Sequence, residues 1–156
     1  MNKEGAVLAA RILTELKEIS KLVYRIEQGW KTAKKRKDDF YMDSVALNLH
    51  GFYSGLERIF EKIAASVDGS IPEGANWHQE LLHQMSMEID GIRPAVISSD
   101  LKENLEEYRG FRHVVRNVYT YHLSPEKINP LVDKIQEVFK KSEKELSAFA
   151  KFLQSD

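Results

Sequence analysis

The chain has 156 residues, 42% of them hydrophobic and 30% charged, with a net charge of −1; this composition fits one soluble globular domain with its own core and excludes a disordered or membrane-embedded chain. It contains no cysteine, which excludes disulfides, thiolate metal sites and thiol nucleophiles. No apolar run approaches a membrane span and the start, MNKEGAVLAARILTEL, lacks the layout of a cleavable signal, so a cytoplasmic location is expected.

The periodicity is helical almost throughout. Leu8, Ile12, Leu16, Ile19, Val23 and Ile26 recur at three- and four-residue steps and share one helical face. Trp30 follows, and the polar stretch KTAKKRKDD reads as a connection. A second helix is expected from about Asp39 to Ser66, burying Val45, Leu49, Phe52, Leu56, Ile59, Phe60 and Ile63, until VDGSIPEGAN breaks it with two glycines and a proline. NWHQELLHQMSMEID predicts a short third helix capped by Asn76. After GIRPAVISS, Asp100 followed by Glu103 looks like a capping box opening a fourth helix. Ser124 and Pro125 suit the cap and first position of a fifth, which carries Leu131, Ile135, Val138, Phe139, Leu146, Phe149 and Leu153. No segment alternates as a strand does. The expectation is an all-α, up-and-down four-helix bundle with a short extra helix, a single domain over residues 1–156.

Most polar clusters have plain structural explanations. The run Lys31, Lys34, Lys35, Arg36 and Lys37, with Trp30 and Tyr41 near it, has the composition of a phosphate-and-base contact, but charge runs are usually solvated. His78 and His83 are five residues apart, about 140° around a helix, so they do not share a face as zinc ligands would. His50, between Leu49 and Phe52, reads as a half-buried, hydrogen-bonded histidine. Glu57, Glu61 and Lys62 read as surface pairs. No glycine-rich phosphate loop and no nucleophile elbow occurs, and no metal or cofactor is expected.

The segment EYRGFRHVVRNVYTYHLSP, Glu107–Pro125, is different. Arg109, Arg112, Arg116 and Tyr119 follow helical spacing and form one stripe, opposite Phe111, Val114, Val115 and Val118. Like charges stacked on one face destabilise a helix unless an anion or acidic groups compensate, and Glu103, Glu106 and Glu107 are close enough in sequence to do so. His113, His122 and Tyr121 add imidazole and phenol groups. Guanidinium forks grip phosphate and imidazole moves protons near neutral pH, a combination suited to metal-free RNA cleavage.

Those words, FRHVVRNVYTYHL with VALNLHGFYSGLERIFEKIA and NWHQELLHQM before it, resemble the HepT-like branch of the HEPN superfamily, from about Met42 to Leu131. The resemblance implies a small all-α bundle that forms a homodimer. It also implies a metal-independent RNA endonuclease, a toxin of a toxin–antitoxin pair whose antitoxin is a minimal nucleotidyltransferase. The motif it implies is arginine, four residues, histidine, one residue, tyrosine. Two registers meet that pattern here. Arg112, Asn117 and Tyr119 keep its arginine and tyrosine but place asparagine at the histidine; asparagine hydrogen-bonds but cannot act as a base. Arg116 and His122 keep the broader superfamily spacing and a proton-transfer group. Tyr119 matches the tyrosine that receives AMP from the antitoxin, and Arg109, His113 and Tyr121 are further candidate RNA contacts. Two other functions stay open: a catalytically inactive helical binding partner of a nucleotidyltransferase, and a purely structural bundle whose stripe is quenched by acids.

Overall fold

The computed structural model describes residues 2–117, 119 and 123–155. Within them the chain is all-α: α1 Lys3–Arg36, α2 Asp39–Ile63, α3 Trp77–Met85, α4 Ser99–Asn117 and α5 Pro125–Gln154. Among the described residues no helix is long and apolar enough to cross a membrane.

α1 runs further than the sequence suggests. The stretch KTAKKR is its final turns rather than a connection, because the buried row Ile26, Trp30 and Ala33 continues through it. Only Lys37, in the left-handed region at φ 52°, and Asp38 join α1 to α2. The Asp38 carboxylate then caps α2 by accepting from Phe40 N at 2.9 Å. So short a link folds α2 back along α1, and small residues let the two approach closely. A Cβ at Gly55 would lie 2.9 Å from Ile19 Cγ1, and one at Gly29 would lie 3.2 Å from Val45 Cγ2. α1 also packs on α5, and α2 on α4.

α2 ends at Ile63 and passes into a wider π-helical turn, Ala64–Asp68, closed by Gly69 at φ 70°. α3 stops at Met85, earlier than its sequence pattern, which continues to Asp90. Arg93 closes off this end: its buried guanidinium takes backbone carbonyls from the last turn of α3, from Met87 just past it and from Pro94. Its Nη1 donates to Met87 O at 2.7 Å and Pro94 O at 3.1 Å, and its Nη2 to Gln84 O at 3.1 Å. The fork closes on Asp68, with Nε at 2.6 Å and Nη2 at 2.8 Å from its two oxygens. Every N–H of the guanidinium therefore has an acceptor.

The start of α4 also differs from the expected capping box. Ser98, not Asp100, is the cap: its Oγ accepts from Leu101 N at 3.1 Å. The acidic half of the arrangement comes from another helix, where Glu145 of α5 accepts from Ser98 N and from Ser98 Oγ. Ser124 and Pro125 open α5 as expected, although the Ser124 side chain makes no capping bond. Across the core, Tyr108 of α4 donates to Leu131 O at 2.6 Å and packs on Phe52 with ring centroids 5.2 Å apart. These contacts set the height and rotation of α4.

Replacing Arg93 with alanine removes the counter-charge of Asp68, which keeps only the Gln84 Nε2 donor at 2.7 Å, and strands three carbonyls. We expect a loss of about 3–5 kcal/mol of unfolding free energy, the scale for breaking a buried pair, read from urea denaturation. A loss within the range of surface substitutions would refute the account of how α3 ends.

Candidate functional site

Between α4 and the start of α3 lies a cleft of about 340 Å³. Arg109, Arg112, His113, Arg116 and Asn117 line it from α4; Ala75, Asn76, His78 and Gln79 line it from the other wall. The stripe expected from helical spacing is thus present for its three arginines. Tyr119 follows the end of α4 as exposed coil, 72% accessible, so helical spacing does not fix its direction. Tyr121, His122 and Val118 lie outside the described residues.

The three arginines differ in how far they are neutralised. Arg109 is paired with Glu106, with its Nη2 at 2.7 Å from the carboxylate, as the acid-quenched alternative would have it. Arg112 is sunk into the wall, where its Nε donates to Ser54 Oγ at 3.1 Å and its Nη2 sits 4.0 Å from Glu57 Oε1. Arg116 is exposed, and no ion pair of it is found among the described residues. Glu107 reaches Lys134 of α5 at 3.7 Å instead of the stripe.

Beneath the cleft the sequence reading of Glu57 is corrected. It is not a surface residue: it is 3% exposed and its Oε2 lies 2.7 Å from His78 Nδ1. A carboxylate there accepts, so His78 donates through Nδ1 and turns its other nitrogen away from Glu57. The signal for this was available, because Glu57 falls in the helical row of Tyr53 and Phe60, on the face that α2 buries. A glutamate in an apolar row requires a partner. What the sequence does not show is that the partner is 21 residues away.

The surrounding groups respond to this charge. Burial, reinforced by the Glu57 charge, raises the Glu61 carboxyl above its ordinary range. Burial also pushes the Tyr53 phenol far up, so it stays neutral; its hydroxyl has no hydrogen-bond partner among the described residues. His50 is half-buried, as expected, but makes no hydrogen bond among the described residues. Burial and the charges of Arg112 and Arg116 hold its imidazole below the usual histidine range.

His113 is exposed in the cleft, and Asn117 bends back to donate from Nδ2 to His113 O at 2.7 Å. His78 and His83 do not converge: His83 faces Lys102, with 3.2 Å between Nδ1 and Nζ. At the far end of α1, Lys34 lies over the Trp30 ring at 5.6 Å and Arg36 donates to Tyr41 Oη at 3.1 Å. That basic run is separate from the cleft.

Chemically, the cleft combines guanidinium groups, the amide-rich first turn of a helix and two imidazoles. First-turn amides and guanidinium forks both favour an anion with several oxygens. Comparisons with curated proteins and with solved structures return no match. A family model described as HepT-like protein matches residues 44–153, taking in both walls of the cleft and most of α2 and α5. The chain belongs to the HepT-like protein family.

Proposed function

We propose that this chain is the toxin subunit of a HepT-like toxin–antitoxin pair, a cytoplasmic homodimer that binds RNA and cleaves it without a metal ion under the control of a minimal nucleotidyltransferase. The observation that carries the reading is the cleft itself, with Arg112, His113 and Arg116 on one wall and His78 with the first turn of α3 on the other. Phosphate oxygens suit the arginines and the helix amides, and the imidazoles are within the same space for proton transfer. In this reading α1, α2, α4 and α5 make an up-and-down four-helix bundle with α3 as the extra helix. The whole chain works as one domain, since α1, which precedes the matched region, packs on α2 and α5.

A second reading has its own support. Asn117 stands at the motif histidine of the Arg112 register and spends its amide on His113 O, which favours a catalytically inactive binding partner of the nucleotidyltransferase. RNA cleavage by the wild-type chain separates the two.

Arg116 is the cleanest probe because its removal strands no partner carboxylate among the described residues. Binding of a short single-stranded oligoribonucleotide, read by fluorescence anisotropy across a salt series, should weaken on Arg116→Ala. The log–log salt slope should shrink by about 0.7, one phosphate contact on a single strand. Absence of RNA binding by the wild type, or identical curves for the two proteins, would defeat the RNA reading.

Tyr119, exposed and three residues past Arg116, is the proposed AMP acceptor. An added phosphodiester there brings a negative charge toward Arg116 and competes with substrate phosphate. Incubation with a minimal nucleotidyltransferase and ATP, followed by peptide mass spectrometry, should place one AMP on Tyr119; AMP on another residue with Tyr119 untouched counts against it. Sedimentation should give twice the 18.0 kDa chain mass, and a monomer at all concentrations would remove the homodimer from this reading.

A further inference from the structure

We infer that His78, oriented by the buried Glu57, is the proton-accepting catalytic residue of the cleft. The inference rests on the RNA-directed reading above and supplies the group that Asn117 cannot.

Among the described residues three histidines lie in or beside the site, and their surroundings separate them. His113 is exposed, and its nearest polar neighbour at Nδ1 is the Asn117 amide at 3.5 Å. His50 does not line the cleft, and Arg112 and Arg116 oppose its protonation. Of these three, His78 combines a place in the cleft wall with a buried carboxylate on its inner nitrogen, at 2.7 Å. Its side chain is 23% exposed while that of Glu57 is 4% exposed. The ring therefore reaches the cleft while its orienting partner stays out of water. The Trp77 ring stacks beside it at 3.6 Å between centroids and limits its rotation.

This is the arrangement in which a carboxylate fixes an imidazole tautomer and stabilises the cation formed when the ring takes a proton. The remaining oxygen of Glu57 faces Arg112 at 4.0 Å, so one buried carboxylate sets both the proton acceptor and a phosphate-gripping guanidinium. The charged and titratable groups around His78 are Glu57 and Glu61 from α2, and Arg109, Arg112, His113 and Arg116 from α4.

In the step assigned to it, a ribose 2′-hydroxyl attacks the adjacent phosphorus, and its proton passes to the free ring nitrogen of His78. The O2′–P bond forms and the P–O5′ bond breaks, giving a 2′,3′-cyclic phosphate. The departing O5′ takes a proton from water, and the imidazolium returns its proton to the hydroxide left behind. Arg112 and Arg116 stabilise the charge on the non-bridging oxygens. Glu57 is a positioning residue here.

The test pairs cleavage of a single-stranded oligoribonucleotide with binding of its uncleavable 2′-O-methyl form, for the wild type, His78→Gln and Glu57→Gln. His78→Gln should lower the cleavage rate at least about a hundredfold, the scale of a general base, while binding is retained. Glu57→Gln takes away the carboxylate that holds the ring proton on Nδ1, so it should lower kcat while KM and binding of the 2′-O-methyl form stay as in the wild type. Ring ¹⁵N spectra should show the proton no longer fixed on Nδ1, a change that a purely structural glutamate would not produce.

Wild-type cleavage rates in His78→Gln would overturn the inference. So would a wild type that binds RNA through Arg116 but does not cleave it, a result that leaves the RNA-binding reading standing. Failure of RNA binding altogether removes the underlying reading instead. If circular dichroism shows that His78→Gln does not fold, ring ¹⁵N spectra of the wild type decide. His78 should carry its proton on Nδ1, and its other nitrogen should shift when the 2′-O-methyl RNA is added; an unmoved signal overturns the proposal.

Discussion

A carboxylate removed from water is costly unless positive or hydrogen-bonding groups meet both of its oxygens, and Glu57 imposes that requirement at the centre of this molecule. One oxygen faces α3 through His78 and the other faces α4 through Arg112. A helix as short as α3 is marginal by itself, and its position depends on contacts at its two ends. His78 fixes the beginning against α2, and Arg93 ties the carbonyls of Gln84 in its last turn and Met87 just past it to Asp68. The wall of the cleft opposite the arginines therefore owes its place to two buried carboxylates, Glu57 and Asp68, and the groups that meet them, with Leu81, Leu82 and Met85 packed between.

Ion pairs also grade the electrostatics of α4. Arg109 is neutralised by a neighbour on its own helix and Arg112 by a carboxylate from α2, while Arg116 stands beyond both. Positive potential consequently grows along the helix toward Asn117. Arg116 is itself favoured there, because the carbonyl end of a helix attracts a cation. An incoming anion meets its least compensated partner at the mouth of the cleft, beside the segment that carries Tyr119. The half-buried Arg112 then offers an anchor held by Ser54 and facing Glu57.

Helical periodicity made the buried faces of α1, α2 and α5 legible, and the three-and-four spacing of Arg109, Arg112 and Arg116 gave their common face; on α4 it gave Phe111 but not Leu101, Leu105 or Tyr108. Helix ends were harder to read, for separate physical reasons. Lysines and arginines are good helix formers, so KTAKKR extends α1 wherever Trp30 and Ala33 have a core to pack on. The cap of α4 is completed by Glu145, 47 residues from Ser98, a distance at which local patterns carry no information. The pairing of Glu57 with His78 has the same character. Glu57 also lies beside Arg58, Glu61 and Lys62, and that charged neighbourhood masks its place in a buried row. Tyr119 was assigned to the stripe by helical spacing, which ceases to apply once α4 ends at Asn117.

The π-helical turn after α2 acts on the distribution of acids. Continued as a regular α-helix, α2 would bring Asp68 to within about 20° of Glu57 around the axis, in the row that already holds Glu61. Three carboxylates would then face the same side. A π turn takes up about one extra residue, which rotates the residues after it by roughly 100°. Asp68 is delivered to Arg93 instead, leaving Glu57 and Glu61 as the acids of that row near the cleft. A slip in the winding of one helix thus sorts negative charge between a joint that holds the molecule together and the face beneath the arginine-lined cleft.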